Sequence, residues 1–240
     1  MGRLSYREIK RNYGSPYGKG SVFIDFYACA LSPLITIIAL KFHLIPNTVT
    51  LGMIVSGIAG ATVFWIPNPT IRIIGVFFIH LWYILDCSDG EVARINNHFS
   101  KYGKELDYMA HTINHPLFSI SFLIALYLDG LFDYKVLICV LMTISADSVL
   151  RMVYTFRYID AIRLGTKESA RAEKGRLSTK EMILFILNIF AQFPNFALIY
   201  PVVYLINREA GMIYLYINTT MAFLYSAHVS ISWLRTIHKY

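Results

Sequence analysis

Apolar residues in this chain fall in long continuous runs rather than in strict alternation, and short polar turns separate the runs. A helix needs about 20 mostly apolar residues to cross a hydrocarbon core of roughly 30 Å. Six stretches meet that requirement: 47–65, 71–90, 105–128, 134–156, 180–206 and 212–234. The turns between them include IPNPT at 66–70, DGLFDYK at 129–135 and NREAG at 207–211. Residues 22–45 are less regular, since they carry Asp25, Pro33 and Lys41 and end against Pro46-Asn47. The preferred reading is a helix in the membrane interface, followed by a first span capped by Asn47 or Thr48; a seventh span is the alternative. Residues 1–21 are polar and basic with no apolar core of a signal peptide. The expected fold is an all-α membrane protein with six transmembrane helices preceded by an N-terminal interfacial helix. Its expected parts are a cytoplasmic N-terminal segment (1–21), the interfacial or juxtamembrane helix (22–45) and a six-helix transmembrane domain (46–240).

Composition reinforces that picture: 56% of the residues are hydrophobic and 15% are charged, whereas about a quarter of a soluble domain is charged. Cys29, Cys87 and Cys139 are too few and too scattered for a disulfide framework or a zinc ribbon. The net charge of +7 could suit nucleic acid, but its distribution suits membrane topology. With both ends in the cytoplasm, six spans place Arg3, Arg7, Lys10, Arg11 and Lys19 inside, then Lys101 and Lys104. The later cationic residues Arg157, Arg163, Lys167, Arg171, Lys174, Arg176, Arg235 and Lys239 fall inside too. Only Arg72, Lys135 and Arg208 fall outside, as the positive-inside rule requires. The expected partners therefore include membrane lipids and no nucleic acid.

Charge inside a span is expensive and marks function. The second span ends in Asp86, Asp89, Glu91 and Arg94, and the third begins with Lys104, Glu105, Asp107, His111 and His115. Asp86 and Asp89 are three apart, about 4.5 Å along one helix face. Asp107, His111 and His115 recur every four residues as a second stripe, and the short loop between the spans makes them antiparallel neighbours. Three carboxylates converging where the dielectric is low repel one another unless a cation joins them. Oxygen donors at that spacing suit one or two Mg²⁺ or Mn²⁺ ions. Pairing of the same acids with Arg94, Lys101 and Lys104 at the membrane surface is the plainer alternative.

Written out, the spacing is Asp86-x2-Asp89-Gly90-x2-Ala93-Arg94-x8-Gly103-x3-Asp107-x3-His111. It closely resembles the signature of the CDP-alcohol phosphotransferase family, whose last position is an aspartate; every other fixed position and every interval agrees. Pro46-Asn47-x-x-Thr50, opening the first span, and the six-helix layout also look like that family. The resemblance implies a multi-pass enzyme whose active site faces the cytoplasm. It would transfer a substituted phosphoryl group from a CDP-linked donor, CDP-diacylglycerol or a small CDP-alcohol, to a lipid or alcohol hydroxyl. CMP would be released, in phospholipid or membrane glycoconjugate synthesis. By position, Asp86, Asp89 and Asp107 would be metal ligands, and Asp89, Gly90, Ala93, Arg94 and Gly103 would meet the nucleotide. The last position, His111, would be the base, in a catalytic pair with Asp107. The residues agree with those roles: phosphoryl transfer needs charge neutralisation and positioning above all, and a guanidinium matches phosphate oxygens.

His111 departs from the pattern. Imidazole is a poor ligand for Mg²⁺, so a metal could be lost or exchanged for Mn²⁺ or a softer ion. As a base it is well matched to neutral pH. A catalytically weakened homologue is a second reading, zinc held by Asp107, His111 and His115 is a third, and His115 as a core histidine beside Pro116 is the plain one. An intramembrane metal or solute transporter would use the same acids without needing the glycines, Ala93 and Arg94 in register. A membrane scaffold without enzyme activity is a further reading. Asp147 and Arg151, four apart, are either an ion pair or a wall of the acceptor pocket. Gly57, Gly60 and Ala61 allow close helix packing, and a homodimer contact would use it. Pro194 and Pro201 are expected to kink the fifth span.

Overall fold

The computed structural model describes residues 4–14, 24–163 and 190–237. The described elements are all helical: α1 (Tyr6–Asn12), α2 (Asp25–Lys41), α3 (Pro46–Phe64), α4 (Pro69–Asn96), α5 (Gly103–Leu128), α6 (Tyr134–Arg163), α7 (Phe193–Ile206) and α8 (Arg208–Ile237). Four of them, α3 to α6, are long and apolar enough to cross a membrane. The basic loop 165–176 and the first third of the expected span 180–206 lie outside the described residues.

The helices group into two compact units, α1–α5 and α6–α8. In the first, α3, α4 and α5 pack through small residues. A Cβ on Gly60 of α3 would lie 2.8 Å from the Ile79 backbone nitrogen of α4, and one on Gly57 would strike the amide of Asn114 on α5. These glycines serve close packing between helices of the same chain.

The entry to α3 also differs from expectation. Its N-cap is Ile45 with Pro46 in the first turn and no side-chain cap; Asn47 instead donates its amide to Ser100 Oγ at 3.1 Å, tying α3 to the α4–α5 loop. Proline is tolerated there because the first helical N–H has no intrahelical partner. At the other end of the three helices, Arg72 forms a two-pronged pair with Asp129, 2.6 and 3.2 Å, and also donates Nε to the carbonyls of Phe64 and Ile66. Arg72, placed in an outer loop by the charge pattern, is thus a buried clamp on α3, α4 and the C-cap of α5.

A polar seam joins α2 to α4. Asp25, Cys29, Ser32 and Thr36 follow a helical spacing and meet Tyr83, Cys87, Ser88 and Glu91. Tyr83 donates to Asp25 at 2.6 Å, and the Cys29 and Cys87 sulfurs lie 3.2 Å apart. Ser32 and Thr36 donate to the two oxygens of the buried Glu91 at 2.7 and 2.6 Å, and Thr36 also meets Ser88. Hydroxyl donors offset the cost of withdrawing that carboxylate from water. Cys87 therefore turns from the aspartates toward α2, and the two sulfurs are not joined in a disulfide.

Short α1 sits on α2. Ser5 and Glu8 form a reciprocal capping box, Ile9 is fully buried, and Tyr6 donates to the Ala30 carbonyl at 2.7 Å. In the second unit, Thr143 of α6 meets Thr219 of α8 at 2.9 Å, and Asn218 donates to the Phe190 carbonyl. Gln192 is extended, so α7 begins afresh with Pro194 in its first turn; Pro201 alone lies inside the helix.

Candidate active site

The α4–α5 turn builds the site. Asn97 takes a left-handed conformation with φ of 48° and ends α4, a conformation that asparagine reaches more readily than most side chains. The chain re-enters as α5 at Gly103, and side chains from the end of α4 reach those from the start of α5.

Asp86, Asp107 and His111 each offer a ligand atom, and these atoms lie within 4.8 Å of one another. His111 Nε2 stands between the carboxylates, 3.3 Å from Asp86 and 3.4 Å from Asp107. Its other ring nitrogen is 3.3 Å from His115 Nε2, and Trp82, fully buried, packs nearly perpendicular to both imidazoles. His115 is buried, as the core reading held, but it also orients His111. Two carboxylates and an imidazole form a donor set that fits a divalent cation.

Asp89 is held separately. Its Oδ2 accepts from Thr50 Oγ1 at 2.7 Å, while Thr50 also bonds the Pro46 carbonyl one turn back on α3. Thr50 belongs to the segment that sequence comparison singled out, but its hydrogen bond to Asp89 is legible only in three dimensions.

Gly90 makes room for Arg94: a Cβ there would lie 3.1 Å from Nη1. Arg94 donates Nε to the Tyr13 carbonyl at 2.6 Å, and its Nη2 is buried with no hydrogen-bond partner among the described residues. A buried guanidinium nitrogen left without an acceptor is costly unless an anion supplies one. Gly103 differs from Gly90: a Cβ there would meet nothing nearer than Ser100 Cβ at 3.5 Å, so the protein's own packing does not demand glycine at that position. Ala93 lies one residue before Arg94 on α4 and is partly buried.

Asp147 and Arg151 lie on α6, in the other unit, and pair with each other at 3.1 Å. Among the described residues, the α4–α5 pair alone brings three metal-ligating side chains together.

A family model described as CDP-alcohol phosphatidyltransferase matches residues 43–224, well over half of the chain and all of α3 to α5. No curated protein matches the chain. The aspartates, Gly90, Ala93 and Arg94 in their register thus accompany a match across the whole length of the helices that carry them, and the chain belongs to the CDP-alcohol phosphatidyltransferase family of membrane transferases.

Proposed function

We propose that the protein transfers a substituted phosphoryl group from a CDP-linked alcohol to an acceptor hydroxyl and releases CMP, in phospholipid or membrane glycoconjugate synthesis. The donor is CDP-diacylglycerol or a small CDP-alcohol. The observation that carries this reading is the meeting of Asp86, Asp107 and His111 on two helices that also hold Asp89 and Arg94 in the family register.

In this reading Asp86, Asp89 and Asp107 hold one or two Mg²⁺ or Mn²⁺ ions. When bound, such a cation neutralises the diphosphate and eases departure of CMP. Thr50 fixes the rotamer of Asp89 by its hydrogen bond. Arg94 gives its unpartnered Nη2 to a phosphate oxygen, and Gly90 leaves the guanidinium space to lie along α4. His111, oriented by His115 and Trp82, takes the proton of the acceptor hydroxyl. The acceptor oxygen bonds to phosphorus as the bond between phosphorus and the CMP oxygen breaks. The six-span topology, with both ends and the active site on the cytoplasmic side, belongs to the same proposal and is supported by the placing of the cationic residues.

The test is CMP release by purified protein given CDP-linked donors and a panel of hydroxyl acceptors, with Mg²⁺ or Mn²⁺. Asp89→Asn abolishes the divalent-dependent release; unchanged turnover in that variant overturns the assignment. Thermal stabilisation by CDP with either metal separates this function from ion transport, which would show none.

A further inference from the structure

Arg94 makes one hydrogen bond that the family register does not account for: its Nε donates to the backbone carbonyl of Tyr13, 2.6 Å away. Tyr13 is the C-cap of α1, so the acceptor is a helix-terminal carbonyl, which carries partial negative charge and attracts a cation. Three independent features seat that carbonyl. The capping box of Ser5 and Glu8 closes the start of α1, Ile9 is completely buried, and the Tyr6 hydroxyl bonds the Ala30 carbonyl of α2. A helix of seven residues is too short to persist by itself in water and owes its order to this docking.

With Nε spent on Tyr13 and Nη1 lying over Gly90, Nη2 is the buried nitrogen that lacks an acceptor. We propose that α1 is part of the donor-binding machinery: docked on α2, it presents the Tyr13 carbonyl to Arg94 and so fixes the guanidinium with Nη2 available to a phosphate oxygen of the CDP-linked donor. This rests on the reading of Arg94 as a phosphate ligand. Tyr13, acting through its backbone, and Ile9 and Tyr6, acting through the seat of α1, are positioning residues. A carbonyl is a suitable positioning group, because it fixes one edge of the guanidinium without neutralising its charge, whereas a carboxylate would compete with the ligand.

The experiment measures CDP affinity and steady-state kinetics of the full-length protein in detergent with saturating Mg²⁺, beside Ile9→Asp, Tyr6→Phe, Arg94→Gln and the Ile9→Asp/Arg94→Gln double variant. Expected are a weakening of CDP binding by about tenfold for Ile9→Asp and Arg94→Gln, about 1.4 kcal/mol, and a smaller loss for Tyr6→Phe. The double variant is no weaker than Arg94→Gln, and acceptor KM is unchanged throughout. Melting of each variant without nucleotide reports its folding, and Tyr6→Phe carries the test should Ile9→Asp fail to fold. CDP affinity at the parent level in the α1 variants overturns the proposal, as does full additivity in the double variant. Parent-level affinity in Arg94→Gln removes Arg94 from donor binding and the proposal with it, whereas weakening in Arg94→Gln alone leaves the transferase reading standing and removes only α1.

Discussion

His111 shows at the scale of one residue how a changed side chain keeps a place. Its two ring nitrogens divide the work, Nε2 facing Asp86 and Asp107 and Nδ1 facing His115. If it is the base, His111→Asp moves the acidic limb of the pH–rate profile to lower pH, because a carboxyl ordinarily titrates about two and a half units below imidazole. An unmoved limb assigns the proton to another group. Gly57 makes a different demand: the amide of Asn114 fills the space of its missing Cβ. Gly57→Ala overpacks a buried α3–α5 contact and lowers stability by about 1–3 kcal/mol in a thermal or denaturant melt. Asn114→Ala in the same chain recovers part of that loss. The sequence exposed the aspartates, Gly90 and Arg94 through fixed spacing along two neighbouring helices. It could not expose the bond from Thr50 to Asp89 or the contact of Asn114 with Gly57, because the partners are on other helices and the contacts depend on how those helices are rotated.

At the scale of elements, the boundaries of α3 and α5 followed the apolar runs closely, because such runs must be helical in lipid, while α4 runs on past residue 90 to Asn96. Their ends did not follow expectation where a tertiary bond outweighed local capping: Asn47 bonds Ser100 across to the α4–α5 loop, and Ile45 is left as the cap. Arg72 shows how strong such tertiary bonds are: Arg72 and Asp129 have side chains only 4% and 6% exposed, so the pair is a strut. Arg72→Ala breaks a buried ion pair and costs about 3–5 kcal/mol. Its site lies 14 residues before Asp86 on the same helix, about 21 Å along the axis, so the surviving folded fraction keeps its CDP affinity. A parallel loss of affinity would show that the two ends are coupled. The helix α1 was not anticipated because its order depends on Ile9 and Tyr6 finding α2. Glu8, bonded by the Ser5 N–H and hydroxyl, has its carboxyl held below the ordinary value of 4.5. A lowered value means that the cap is complete above the ordinary range and is lost as pH falls through the folded value. Ser5→Ala removes the hydroxyl's bonds at every pH while keeping the backbone N–H bond to Glu8, and weakens CDP binding less than Ile9→Asp does.

For the whole molecule, the family match and four helices able to cross a membrane establish a multi-pass membrane transferase. Chelation followed by addition of single metals tests the aspartate set: Mg²⁺ or Mn²⁺ restores CMP release in the parent, and release that persists after chelation overturns the metal's part in it. The Glu91 seam adds a restriction on traffic. Sliding or rolling α2 against α4 would strip a buried carboxylate of both hydroxyl donors at once. That pair of helices is therefore held together, and under the proposed function an amphiphile diffusing in the leaflet would need a doorway to the aspartates on some other flank of the bundle.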